Sequence, residues 1–425
     1  MSPTSKTSAA EEEAKPVVVP KLRFPEFRGE ESWENKLIGP YLEDCSGRVP
    51  PDTELPVYSS TREGLKRQDA YFDGKVLQNK NDYGVVPPGC LVYRHMSDDG
   101  LFKFNINETG GEIAVSKEYP VFSTKGLNSV FLLAKLNDGL DFKHFALSQK
   151  AGGTRTRLYF SRLCEWRTLL PYPAEQQKIA ECLSSVDELL AAQALKVDAL
   201  KTHKKGLMHQ LFPREGETEP RLRFPEFHNA GEWDEKKLGT ICDIQRGKFS
   251  HRPRNDPKFF GGQYPFIQTG DVVKSEGGAV IASQSLNEEG LAVSKLFKPT
   301  VVLITIAANI GDTGLLLTEG CFTDSVVGLI PQKGTIPVFL ELIMRGQKDN
   351  LNKVATTGAQ KNINNEILRE VSVLLPSVPE QQRIATCLSS LDALIIAETQ
   401  KHEALKTHKK GLMQQLFPSL DEVVP

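Results

Sequence analysis

One phrase is written twice. "EQQKIAECLSS" begins at Glu175 and "EQQRIATCLSS" at Glu380, 205 positions apart. "ALKTHKKGLMHQLFP" at Ala199 returns at Ala404 as "ALKTHKKGLMQQLFP", at the same spacing. Upstream, "KLRFPEF" at Lys21 and "RLRFPEF" at Arg221 each lead to a tryptophan, Trp33 and Trp233. The chain is therefore two halves, each a leader, a long variable insert and a near-identical closing segment. Two long copies are too few for a solenoid. They describe a duplicated domain with its connector.

The closing segments have the pattern of helices. Pro173 and Pro379 stand where a helix begins, and Glu175 and Glu380 fall in the first turn, where negative charge suits the dipole. Apolar residues then step by four and three, at Ile179, Leu183, Val186, Leu190, Val197, Leu200, Leu207 and Leu211. The second copy places them at Ile384, Leu388, Leu391, Ile395, Leu405, Leu412 and Leu416. That is a coiled-coil seam, and Pro213 and Pro418 close it. Gln193, Lys204, Glu398, His402 and Lys409 interrupt it, and polar seam residues fix register and partner. Gly206 and Gly411 each cost about 1 kcal/mol in a helix, which predicts a closely approaching neighbour. Two copies of equal length predict antiparallel pairing with each other. Each helix would run roughly 55 Å at 1.5 Å per residue, against about 34–36 Å for one turn of B-DNA.

The inserts, from about 32 to 170 and 232 to 375, mix short β-rich runs with Gly, Pro, Asn and Asp turns, as an α+β domain does. Their middles are not recognisably alike. Polar and basic clusters recur in them: "REGLKRQ", "QNKNDY" and "GGTRTRLY" in the first; "QRGKFSHRPRND", "PFIQTGDV", "AANIGDTG" and "TTGAQKNIN" in the second. Arg and Lys serve phosphate and guanine, and Asn and Gln pair with adenine. Any one such cluster is ordinary loop surface; their number turns attention to nucleic acid.

Several classes are disfavoured. Net charge is −2, so the whole chain is no basic polyelectrolyte. Seven cysteines without a C-x-x-C pair, and no secretory signal, suit reduced thiols in a cytoplasmic protein. No apolar run is long enough for a membrane span. There is no P-loop, no Asp-Pro-Pro-Tyr tetrapeptide and no G-x-G-x-x-G loop. His203/His209 and His402/His408 do not share a helix face, so no metal site is expected. The chain reads as non-catalytic.

These motifs resemble the specificity (S) subunit of type I restriction–modification systems. "PAEQQKIAECLSSVD" from Pro173, "PEQQRIATCLSSLD" from Pro379, the two "KKGLM-x-QLFP" helix ends and the "LRFPEF" leaders carry the resemblance over nearly the whole chain. The insert loops "PFIQTGDV", "TTGAQKNINNEIL", "YFDGKVLQNKNDYGVVPPGCLVY" and "GTRTRLYFSR" add to it. The resemblance implies two mixed α/β target-recognition domains separated by two long antiparallel coiled-coil helices, in a pseudo-twofold internal repeat. The expected segments are a disordered tail (1–20), recognition domain 1 (21–172), helical spacer 1 (173–213), recognition domain 2 (214–377), helical spacer 2 (378–418) and a C-terminal tail (419–425).

It further implies that each domain reads half of a bipartite duplex DNA target. The paired helices would set the gap and dock two methyltransferase (M) subunits through the seam, with Leu207 and Leu412 among the docking positions. Restriction (R) subunits would join through the complex. S-adenosylmethionine, ATP and Mg are expected on those partners and none on this chain. The DNA-contact candidates are Arg155, Arg157 and Tyr159 in the first insert, and Gln268, Thr269, Asp271, Gln360, Lys361 and Asn362 in the second. Two other readings stay open: a coiled-coil adaptor whose inserts bind proteins, and an enzyme with an unfamiliar site.

Overall fold

The leaders and the repeated phrase meet in space. In the computed structural model, which describes residues 18–71, 82–150, 155–307, 309–357 and 363–418, Arg23 forks onto Glu175, Nε to Oε1 at 2.9 Å and NH2 to Oε2 at 2.7 Å. Arg223 repeats this on Glu380, at 2.8 Å for both bonds. All four side chains are almost wholly buried. Each carboxylate holds its arginine above the usual guanidinium range, chiefly through the hydrogen bond. Bidentate geometry is what makes a buried pair of this kind tolerable.

The chain divides into two compact units. One comprises residues up to Ala194 together with those from Lys401 onward; the other runs from Leu195 to Gln400. The division falls inside both long helices, Pro173–Leu211 and Val378–Leu416. Each unit thus holds the N-terminal half of one helix and the C-terminal half of the other.

The first unit is built from short strands. Leu42–Asp44, Val121–Thr124, Leu91–Tyr93 and Phe104–Ile106 form a four-stranded antiparallel sheet in that order. Ile113–Ser116, Tyr83–Val86 and Gly47–Val49 form a three-stranded one. Glu34–Leu37 pairs with Arg167–Leu170, the strand that feeds the first long helix. The core lies between the larger sheet, the helix Ser129–Asp138 and the helix ends. Val18, expected in the tail, is buried there, and its carbonyl accepts from Trp33 N at 2.9 Å.

The second unit has two four-stranded sheets. One orders Cys242–Arg246, Val326–Pro331, Val301–Thr305 and Thr313–Leu316; the other, Gln284–Leu286, Phe260–Ile267, Gly320–Phe322 and Leu296–Phe297. Asp234–Lys237 pairs with Ser372–Leu375, which leads into the second long helix.

The units share a scaffold that the insert sequences conceal. Trp33 packs edge-on with Phe131 and Phe417, at centroid distances of 6.0 and 6.3 Å. Trp233 likewise packs with two phenylalanines, tilted against Phe339 at 5.8 Å and edge-on with Phe212 at 6.0 Å. The buried glutamines of the repeated phrase have matching work. Gln176 Oε1 accepts from Asn128 N at 3.0 Å and its amide donates to Pro171 O. Gln381 Oε1 accepts from Ile336 N at 3.0 Å and its amide Nε2 donates to Pro376 O. Each ties down the start of a ten-residue helix, Ser129–Asp138 or Pro337–Gly346. Lys178 lies over Phe24 and pairs with Glu26, as Arg383 does with Phe224 and Glu226.

Within each unit the helix segments pair antiparallel. In the second unit Lys204 reaches Asp392, and Lys196 reaches Glu398 at 2.5 Å. In the first, Lys409 reaches Asp187 at 2.7 Å, the counterpart of the Lys204 pair. Of the seam interruptions, Lys204, Glu398 and Lys409 are thus register pins. Ile179, Leu183, Ile384 and Leu388 are buried; Val186, Leu190, Leu207, Leu391, Ile395 and Leu412 are half-buried. The glycine expectation fails: a Cβ at Gly206 or Gly411 would meet nothing within 4 Å, so no neighbour among the described residues presses on either.

Candidate nucleic-acid interface

In the first unit the segment 94–99, "RHMSDD", presents a mixed basic and acidic edge. Thr156–Arg157 pairs with Met96–Ser97, and Leu158 N donates to His95 O at 2.8 Å. This register brings Arg155, Arg157 and Tyr159 onto the edge. Their environments differ. Arg155 Nε donates to Asp98 Oδ1 at 2.8 Å, so its charge is matched. Arg62 is matched likewise by Asp99, at 2.6 and 2.7 Å, and Asp99 also accepts from Ser97 and from Leu101 N. These bonds, the Arg62 one foremost, hold the Asp99 carboxyl well below the ordinary range.

Arg157 and Arg94 are exposed and have no ion pair with a described residue. Tyr159, half exposed, stacks on the buried His95 ring at 5.6 Å and 27°. Burial holds that imidazole below its usual value, and Arg157 and Arg94 push the same way. The buried ring thus backs an exposed aromatic platform on the same edge as Arg94 and Arg157. Beside it a cavity of about 430 Å³ is lined by Ser60, Arg62, Arg94, Lys103 and Tyr119 among others. Arg94 escaped the sequence reading because it ends a run, "CLVY", that reads as core.

In the second unit two sequence clusters converge. Lys248 N donates to Phe322 O at 3.0 Å and Thr323 N to Ile267 O at 3.3 Å, which joins "QRGKFSHRPRND" to the start of "QTGDV". Gly247 permits it: a Cβ there would run into the carbonyls of Phe322 and Thr323. Gln268, half exposed, precedes the short helix Thr269–Lys274 and donates to Gln284 Oε1 at 2.8 Å. Thr269 is half-buried in its first turn. Asp271 is buried and fully engaged: it accepts from Gln268 N at 2.9 Å and from Ser283 N and Oγ. It closes a capping box, so its carboxylate is spent on the fold.

Of "AANIGDTG", Ile310 and Asp312 are tied down by Thr305 Oγ1, which accepts from Asp312 N, by Lys348 to Asp312 and by Asn352 to Ile310 O. Gln360, Lys361 and Asn362 lie outside the described residues. Among the described residues no three His, Cys, Asp or Glu could hold a metal ion together, and no helix is long and apolar enough to cross a membrane.

Residues 230–407 match the family described as type I restriction modification DNA specificity domain. Two relatives from Methanocaldococcus jannaschii align over almost the full length. A putative type I restriction enzyme MjaX specificity subunit is 23% identical over 92% of this chain and 97% of its own. The MjaVIII specificity subunit is 23% identical over 93% of each. The chain is thus similar to type I restriction–modification specificity subunits, over part of its second half by the family match and over nearly its whole length by these relatives. The fold agrees: the S subunit from M. genitalium superposes with a TM-score of 0.58 at 13% identity, over 95% of this chain and all of that one. A chain from a study of complex assembly and conformational transition of the type I R-M system gives 0.54 at 18%, over 91% and 97%. The family match covers only the second half, yet the first unit is built on the same plan, with Arg23, Trp33, Gln176 and Phe131 in the places of Arg223, Trp233, Gln381 and Phe339.

Proposed function

We propose that each unit reads one half of a bipartite duplex DNA target and that the paired helices fix the gap. One observation carries this reading. A common scaffold of Arg–Glu fork, Trp–Phe–Phe cluster and buried glutamine supports two different polar faces. The first offers Arg94, Arg157 and Tyr159; the second offers Gln268, Thr269 and an arginine-rich loop. Identical supports with unlike reading faces suit two unlike half-sites.

The helices dock two methyltransferase subunits, and restriction subunits join through that complex. Leu189 in the first unit, and Leu195, Leu394 and Ile396 in the second, are exposed apolar side chains off the seam and open to such docking. S-adenosylmethionine, ATP and Mg act on those partners; this chain contributes recognition and no catalytic group.

Retention on duplex DNA tests the reading. The full chain co-purified with its methyltransferase partner binds duplex of random sequence weakly and salt-sensitively, and enriches one target from a randomised pool. A complex that forms and shows no retention at low salt contradicts it and favours a protein-binding adaptor.

A further inference from the structure

Three arginines of the second unit converge on one aspartate. NH2 of Arg252 and NH2 of Arg254 lie 3.4 and 2.7 Å from Asp324 Oδ2, and Arg246 Nε donates to the Asp324 carbonyl. Arg252 is held again by NH1, which donates to Phe249 O and His251 O at 2.8 Å each. Its guanidinium is fixed before any ligand arrives. Lys248 is exposed beside the same turn.

The charges do not balance. Two guanidiniums share one carboxylate on open ground, Arg252 and Arg254 being 54% and 45% exposed, and a third, Arg246, is held beside them on the backbone carbonyl alone. A structural ion pair needs one arginine; the others repel each other unless a second anion joins them. The turn is also under-satisfied. Thr323, 5% exposed, leaves Oγ1 without a partner among the described residues, and Asp324 Oδ1 is buried in the same state.

We propose that Arg246, Arg252 and Arg254 clamp one backbone phosphate of duplex DNA, with Asp324 as the post that orients them. This rests on the DNA-reading function above and adds a division of labour to it. A base edge accepts one guanidinium fork. A phosphate presents two oxygens that several guanidiniums share, and Arg matches it through parallel N–H donors. Three arginines on one post therefore suit a phosphate. The clamp sets the second unit's register on the duplex, and Gln268 and Thr269 are left to read bases.

The test uses the full chain with its methyltransferase partner. Affinity is measured against salt on two duplexes, one with the mapped target and one with the second unit's half-site scrambled. Arg252→Gln with Arg254→Gln flattens the log–log salt slope by about 1 on both duplexes, the counterion release of one phosphate. Affinity at 0.15 M salt falls about fivefold on both, the size of that counterion term. The affinity ratio between the duplexes and the methylated motif stay as in the parent. Arg252→Lys with Arg254→Lys restores the slope. A changed ratio or a motif relaxed at one base overturns the clamp in favour of base reading. An unchanged slope and affinity reduces the cluster to surface ion pairs. No binding of either duplex by the parent complex defeats the DNA-reading function itself, and the clamp with it.

Discussion

Glu175→Ala destabilises the first unit by about 3–5 kcal/mol, because it leaves the Arg23 guanidinium buried without its counter-charge. Two bonds remain to that guanidinium, from the carbonyls of Glu30 and Glu31 at 2.8 and 3.0 Å. They satisfy donors without neutralising charge. Glu380→Ala does the same to the second unit through Arg223. The tryptophans report each unit separately: Trp33 and Trp166 stand in the first, Trp233 in the second. In Trp233→Phe protein, urea unfolding followed by fluorescence shows the Glu175→Ala transition shifted to lower denaturant. Glu380→Ala shifts the signal of Trp233 in protein lacking the other two tryptophans. Replacing the pair together, Arg23→Met with Glu175→Leu, recovers most of the loss, since an apolar pair carries no desolvation cost. A loss below about 1 kcal/mol on Glu175→Ala would make the fork equivalent to a surface pair and refute its structural role.

The second large effect is on recognition. Arg94→Ala or Arg157→Ala costs about 1–3 kcal/mol of discrimination at one base position, if each guanidinium takes a guanine edge. Methylation mapping then shows one half of the motif degenerate at a single position and the other half intact. Both side chains are exposed, so the unfolding midpoint stays put. Arg155→Ala has a smaller effect, because Asp98 already engages that charge. Equal weakening of both half-sites by Arg94→Ala would assign Arg94 to the backbone and remove it from the reading face.

The helical half of the fold was legible because its information is local. A step of four and three, a proline at each end and acid in the first turn are each readable within a few residues, and both long helices lie where those signals put them. The polar seam positions were legible as interruptions, but their partners were not. Lys204 and Asp392 are distant in sequence, and only folding brings them together.

The same limit hid the common scaffold. Phe131 and Phe339 occupy one place in two units, as do Trp33 and Trp233, but the intervals between counterparts differ because the inserts differ in length. Gln176 and Gln381 stood in plain view in the repeated phrase. Their task, holding the start of a helix contributed by the insert, depends on that insert's path.

Among the site candidates, residue type predicted less than environment did. Asp271 is polar, in a Gly-containing loop and apparently available, yet the fold consumes it as a cap. Arg155 and Arg157 are neighbours in one strand edge, and an aspartate opposite only one of them sets them apart. The arginines around Asp324 were visible as a basic run; what unites them is an aspartate some seventy residues later in the chain.

If two units on one scaffold read two halves of one DNA site, the methylated motif must itself be split. The most direct measurement is single-molecule mapping of N6-methyladenine in DNA from cells co-expressing this chain with its methyltransferase partner. The expected result is two short defined halves separated by an undefined gap of fixed length. A single uninterrupted motif, or methylation without sequence preference, would contradict it.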